Sequence, residues 1–307
     1  MAVIVVGSIN LDLIAHIDQI PGPGETRMAE RLEISPGGKG ANQALAARRM
    51  GASTTLLGTV GTDAFARQAT FLLRKSGVDL TYLDTDPDLA TGLAMIAVDG
   101  NGQNAITVVS GANHATDEKA LAHLDRLIKA GDWVVVQNEI PLATVERALW
   151  TAHQRGARVI WDPAPASPKV SKLLWSTDVI VPNQGEAEVL LASSVADVRS
   201  AKAAARRLRE NGVAAAVVKL GAEGVVWATA HGVFYLPATS VSAVDTVGAG
   251  DVFAGALAAR LDHGDGLSEA IAWANLAAGL STTQNGAQPS FPTWEIVRQY
   301  AYRQQQH

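Results

Sequence analysis

"DWVVVQNEIPLATVERALWTAHQRGARVIWD" (132–162) decides the architecture. Trp133 to Val136 are apolar at consecutive positions, so both faces of that strand must be covered. A helical pattern follows over 142–155, with Pro141 suited to its first position and Gly156 to a left-handed stop. Residues 157–162 then form a second strand that is apolar on both faces. Two such strands separated by a helix imply parallel pairing in a sheet covered on both sides.

The same unit recurs along the chain. Further strands are expected at 3–7, 53–60, 178–183 and 214–221, and helices at 40–50, 63–76, 117–130, 185–191 and 197–211. Gly51, Gly77, Gly131 and Gly212 fall at expected helix stops. Beyond residue 249 the pattern is helical throughout, over 249–262, 267–284 and 293–304. The fold expected is α/β, a mainly parallel sheet with helices on both faces.

Two segments break the rhythm. Residues 11–35 hold "LDLIAHID", the turn-rich "QIPGPGET" and "MAERLEIS"; residues 91–110 hold two alternating runs around "DGNG". Both read as antiparallel strands inserted into a parallel-sheet protein. They suit either a small sheet covering a cleft or a plain edge hairpin, and periodicity does not choose between them.

Composition narrows the classes of function. The chain has 307 residues, 48% hydrophobic, with a net charge of −5 and both signs interspersed. That leaves no broad basic surface for nucleic acid or an anionic membrane. Without cysteine there are no disulfides, thiol catalysis or thiolate metal sites. No stretch approaches the roughly 18 to 20 apolar residues of a membrane span, and the start reads as a buried strand, so a cytoplasmic protein is expected. The Walker A loop, the dinucleotide fingerprint, the Gly-x-Ser-x-Gly elbow and a histidine zinc site are all missing. The lost fingerprint argues against a dehydrogenase on a doubly wound sheet.

Four motifs remain. In "GGKGANQALAARRMG" (37–51) a glycine pair opens a helix, either to approach a ligand at its amide end or to ease a tight turn, with Asn42 in the first turn. "GSINLDL" places Asn10 and Asp12 on one side of an extended chain, and "VVQNEIP" puts Glu139 after a strand. Asn, Asp and Glu at the carboxyl ends of parallel strands suit a polyol, since each orients a hydroxyl. "PNQGEAE" (182–188) puts Asn183 after a strand and Glu186 three residues on, and reads either as a Glu186 carboxylate acting on Mg²⁺, directly or through water, or as an N-cap followed by a first-turn acid. Finally, "AVDTVGAGD" (243–251) runs into a helix, clustering the amides of Gly248, Ala249, Gly250 and Asp251 at its positive end. Asp251 lies beside any anion held there and is placed to take a proton from an attacking hydroxyl; Asp245 is too far back to share that task.

In order, "GSINLDL", "GGKGANQA", "TGLAMIAVDGNGQN", "SGAN", "PNQGEAE", "VKLGAEG", "DTVGAGD" and "GAQPS" closely resemble the ribokinase family of sugar kinases, the PfkB carbohydrate kinases, over essentially the whole chain. The resemblance implies a single kinase domain over 1–307, with lid strands inserted at about 11–35 and 91–110. It implies a sugar held by Asn10, Asp12, Gly38, Lys39, Asn42 and Glu139, with Asp251 as catalytic base. ATP is implied near Asn183, Lys219, Gly221, Gly224 and Asn275, with its γ-phosphate at Gly248 to Asp251 and Mg²⁺ served through water by Glu186. A monovalent cation, typically K⁺, is implied at Asp245, Val247, Ser281, Gln284, Gly286 and Ser290. Ser281 and Gln284 depart from the family's residues there, at places where backbone carbonyls ligate. The lid strands also build a homodimer in the family. The implied reaction is phosphorylation of the 5-hydroxyl of D-ribose; other members act on 2-deoxyribose, fructose-type sugars or nucleosides. A binding module without turnover is the alternative of another class, marked by loss of Asp251 or its glycines, which are intact here.

Overall fold

A computed structural model describes residues 1–101 and 103–304. Eight strands form the main sheet, in the order Gly232–Leu236, Val225–Thr229, Ala215–Lys219, Val179–Ile180, Arg158–Asp162, Trp133–Gln137, Val3–Val6 and Thr54–Leu57. The last six are parallel, as the apolar runs require. Val3 and Val5 point into a core shared with the helices Lys39–Arg49 and Ala249–Asp262. Ile4 and Val6 point the other way, into a core with Ala148, Leu149 and Leu208. Burial on both faces is why these strands show no polar alternation.

From Val3–Val6 the chain moves to Thr54–Leu57 on one side, and to Trp133–Gln137 on the other. Strand order therefore reverses between Val3–Val6 and Trp133–Gln137, and ligands of open α/β sheets bind beyond the strand ends at such a point. Gly7, Ser8 and Glu139 stand there.

Local departures from the sequence reading have identifiable causes. The hairpin Val225–Leu236, antiparallel to its neighbours, was not anticipated; Thr229 to Gly232 make its turn. The run 53–60 breaks at Gly58 into Thr54–Leu57 and Thr59–Gly61, and the latter pairs with Asp84–Asp86 in a separate sheet. The helix expected at 63–76 breaks at Thr70, whose hydroxyl donates to the Ala66 carbonyl at 2.7 Å. The helix expected to reach 284 stops at Ser281, where the hydroxyls of Ser281, Thr282 and Thr283 each turn back onto a carbonyl three residues earlier. Pro141 is the N-cap, not the first helical residue, because its ψ of 129° is extended. All five helix-stop glycines have positive φ.

The two inserted segments form one four-stranded sheet, in the order Arg31–Gly37, Asn10–His16, Gly92–Val98 and Asn104–Val109. Its outer pairs are antiparallel as expected, but the central pair is parallel, with Asn10 opposite Gly92 and His16 opposite Val98. The reason is that each insertion supplies its own hairpin, and both hairpins leave the main sheet in the same direction. Gly102 of the "DGNG" turn lies outside the described residues. Leu32, Ile34, Met95 and Ile106 are exposed on this sheet.

Candidate active site

Glycines bring the Lys39–Arg49 helix against the end of the first strand. Gly38 has φ +88°, and a Cβ on it would lie 2.6 Å from the Asn10 amide nitrogen. A Cβ on Gly40 would lie 2.5 Å from the Gly7 carbonyl carbon. Gly38 and Gly40 are therefore required by close approach to the chain's own backbone, and the positive φ of Gly38 also serves the turn into the helix. Glu139 seals the contact: its Oε2 accepts from Ser8 Oγ at 2.6 Å and from the Lys39 amide at 3.1 Å.

Asp251 is buried in the first turn of the Ala249–Asp262 helix. Its Oδ2 accepts from Asn42 Nδ2 at 2.8 Å, and its Oδ1 from Gln43 Nε2 at 3.2 Å. The same Gln43 nitrogen donates to Asp162 Oδ2 at 2.8 Å, and Gln43 Oε1 accepts from Gln137 at 2.7 Å. Asp162 is paired in turn with Lys219, Nζ to Oδ1 at 3.1 Å. Lys219 also flanks the helix start, since a Cβ on Gly250 would lie 3.4 Å from its Nζ. Two carboxylates and an ammonium group are thus tied into one network around one helix end.

That helix end is narrower as an anion site than the four clustered amides suggest. Gly248 is the N-cap with φ +78°, and the Ala249 amide is drawn onto the Thr246 carbonyl at 3.2 Å. The amides of Gly250 and Asp251 have no acceptor outside the helix among the described residues. With the amide of Gly248, which likewise has no acceptor among the described residues, they are the three donors left to meet an anion.

Charges in the site shift one another. Burial, reinforced by Glu139 and Asp251, pushes the Asp12 carboxyl up to about 7. Burial also raises Asp251, against the pull of Lys39 and with Asp162 adding to it. For Lys39, burial alone would lower the ammonium, but Asp251, Asp162 and Glu139 together hold its proton more firmly than usual. A buried carboxylate with a raised proton affinity and two fixed donors is a competent general base.

The residues expected to serve ATP divide into three groups. Lys219 joins the carboxylate network. Gly224 packs on the Leu236–Ala238 segment, where its Cβ would overlap backbone, and Asn275 donates to the Pro237 carbonyl at 2.9 Å, so these two meet around one segment, beside the Gly221–Glu223 turn. Asn183 and Glu186 form a reciprocal capping box, the ordinary reading of that pair. Glu186 nonetheless has its proton affinity raised by burial, countered by Lys219, so its carboxylate shares the field of the site. Among the described residues no cluster of three His, Asp or Glu is arranged to hold a bare metal ion.

Asp245 zips two loops together. Its Oδ1 accepts from the Val247 amide at 3.0 Å and its Oδ2 from Gly286 at 2.8 Å. The amides of Val244 and Asp245 both donate to the Thr282 carbonyl. The hydroxyls of Ser281 and Ser290 are spent on local carbonyls, and Gln284 is exposed. A cation here would meet the Asp245 carboxylate and main-chain oxygens.

Sequence reading missed Gln43, Asp162, Gln137, Gln288 and Asn113. Asp162 was findable by the rule that found Glu139, an acid at the carboxyl end of a parallel strand. Gln288, within "GAQPS", donates to Asn42 Oδ1 at 3.0 Å and so orients the residue that orients Asp251.

The family model for pfkB family carbohydrate kinases matches residues 2–294. A ribokinase of Staphylococcus aureus is 37% identical over 300 residues, 97% of this chain and 98% of that protein. A deoxyribokinase of Salmonella typhi is 35% identical, covering 98% of each chain. The structure of Arabidopsis thaliana ribokinase complexed with ribose and ATP superposes with a TM-score of 0.89 at 28% identity, covering 97% of each chain.

Proposed function

Because the chain belongs to the pfkB family of carbohydrate kinases, we propose that it transfers the γ-phosphoryl group of ATP to the 5-hydroxyl of D-ribose, giving ribose 5-phosphate and ADP. The observation that carries the reading is Asp251: buried in the first turn of its helix, held by Asn42 and Gln43, beside backbone amides that have no acceptor among the described residues. The similarity to a protein named for ribose, and to a structure holding ribose and ATP, supports the choice of sugar.

In this reading Asn10, Asp12, Gly38, Lys39, Asn42 and Glu139 hold the sugar, with its primary hydroxyl against Asp251. Asp251 takes the hydroxyl proton as the oxygen attacks phosphorus. The amides of Gly250 and Asp251, with Lys219, stabilise charge on the phosphoryl group in transit. ATP lies along Asn183, Lys219, Gly221, Gly224 and Asn275. Glu186 has carboxylate lone pairs to accept water from a Mg²⁺ shell, and Mg²⁺ when bound neutralises phosphate charge. Asp245, Val247, Ser281, Gln284, Gly286 and Ser290 surround the K⁺ position. The small sheet is the lid of the sugar site, and its exposed Leu32, Ile34 and Met95, which share one face, support a homodimer formed through it. Among the described residues no helix is long and apolar enough to cross a membrane. An enzyme that consumes ATP belongs where ATP is made available, which supports a cytoplasmic placement.

A second reading, 2-deoxyribose as substrate, is favoured by the deoxyribokinase relative. Asn10 weighs against it: an amide buried against a missing hydroxyl costs about 1–3 kcal/mol, a preference for ribose of roughly 5- to 150-fold. The test is ADP release with ribose, 2-deoxyribose, fructose and ribonucleosides, in K⁺ or Na⁺. Ribose should give the highest kcat/KM. Equal values for ribose and deoxyribose would reject the role of Asn10, and no release with any sugar would leave the binding-module reading.

A further inference from the structure

Asn113 lies in "SGAN", a motif to which the catalytic scheme gives no task. It sits just beyond the last lid strand and is buried. Its Oδ1 accepts from the Ile9 amide at 2.8 Å. Its Nδ2 donates to the Ile9 carbonyl at 3.2 Å and to Asn10 Oδ1 at 2.7 Å. A backbone N–H can only donate, so the Ile9 contact fixes which end of the Asn113 amide is oxygen. The other end must then be NH₂, and what it meets on Asn10 must be an acceptor. The orientation of Asn10 follows: Oδ1 faces Asn113, and Nδ2 is left without a protein acceptor among the described residues.

The backbone makes this arrangement rigid. Gly92, which opens the third lid strand, lies directly against the amide pair, and a Cβ there would overlap both Asn10 Oδ1 and Asn113 Nδ2. Three ends of lid strands therefore meet at one hydrogen bond: the start of Asn10–His16, the start of Gly92–Val98, and the exit from Asn104–Val109.

We propose that Asn113 is a positioning residue that locks the Asn10 amide so that it presents only its NH₂ group to the sugar. Asn10 is then a pure donor beside Asp12, the nearest acceptor on the same strand. Together they recognise a hydroxyl, which can accept from one and donate to the other; a deoxy carbon can do neither. This rests on the sugar-kinase reading above.

The experiment is a double-mutant cycle read in steady-state kinetics with ribose and 2-deoxyribose. Asn113→Asp keeps an acceptor for Ile9 but cannot donate, so the Asn10 amide turns its NH₂ towards residue 113. KM for ribose should rise roughly 5- to 150-fold and the preference for ribose over deoxyribose should shrink, with KM for ATP unchanged. In an Asn10→Ala background the same substitution should change KM for ribose little further. Equal losses in both backgrounds, or equal losses for both sugars, would overturn the proposal. If Asn113→Asp does not fold, side-chain amide NMR of the unmodified protein decides. Ribose should shift the Asn10 NH₂ signals while those of Asn113 stay protected from exchange; an unprotected Asn113 amide, or an Asn10 amide blind to bound ribose, would refute it. Wild-type protein that phosphorylates no ribose refutes the substrate reading instead, so the two failures are separable.

Discussion

Asn42 donates to Oδ2 of Asp251 at 2.8 Å, although 209 positions separate the two in the chain. The contact joins the helix Lys39–Arg49 to the first turn of the helix Ala249–Asp262. In the proposed mechanism it fixes the base from the side where the sugar is held. Asp251→Asn keeps the shape but cannot accept the proton, and kcat should fall roughly 10²–10⁴-fold. A near-normal kcat for ribose in steady-state assays would remove Asp251 from that role.

Among the described residues, Gln43 alone hydrogen-bonds to both Asp162 and Asp251. Gln43→Leu leaves both carboxylates short of a donor and Gln137 short of an acceptor. Unfolding free energy should drop by about 1–3 kcal/mol, with kcat falling too. Thermal unfolding measures it; an unchanged melting temperature would mean that the network relaxes without cost.

Asp12 gives the free protein a pH dependence. Its folded value near 7 lies above the ordinary 3.8, so the native state binds more protons than the unfolded chain between those values. That contribution is fully present below about pH 4 and is lost as pH rises through 7. Asp12→Asn should therefore raise the melting temperature of the sugar-free protein at pH 8 relative to wild type, and do so much less at pH 5. The same difference at both pH values would contradict this account.

Asp245 and Asp251 should fail differently. Asp245→Ala unzips the loop held to Gly286 and should abolish the difference between K⁺ and Na⁺, whereas Asp251→Asn should lower kcat in both salts alike. Parallel titrations with the two chlorides check this. Identical defects would merge the two acids into one function.

The exposed lid residues predict association. Ile34→Glu combined with Met95→Glu should convert a dimer to a monomer in sedimentation velocity while leaving the main sheet folded by circular dichroism. A wild-type protein that sediments as a monomer would end the lid-dimer reading.

Much of this is legible in the sequence. Consecutive apolar residues in 133–136 and 158–161 dictated two-sided burial, and glycine stops marked the helix ends. Asn10, Asp12, Glu139 and Asp251 could be picked because acids and amides at strand ends and helix starts have few other reasons to recur together. What escaped depended on partners far away in sequence. Gln43 and Gln137 are unremarkable until they face each other across 94 positions. The parallel lid pair could not be seen because each hairpin, read alone, is antiparallel. The breaks at Thr70 and Ser281 came from hydroxyl competition, which periodicity does not register.

That parallel central pair also sets an order of assembly. Asn10 lies opposite Gly92, so the small sheet's middle ladder closes a loop that contains the strand Arg31–Gly37, three helices, the main-sheet strand Thr54–Leu57 and the separate pair Thr59–Gly61 and Asp84–Asp86. Either hairpin can form locally, but the ladder between them must wait until the sheet beneath has brought their bases together. Native-state hydrogen exchange should show 10–16 and 92–98 opening as one cooperative unit, at lower free energy than 133–137. The small sheet would then open as a single event while the eight-stranded sheet stays folded.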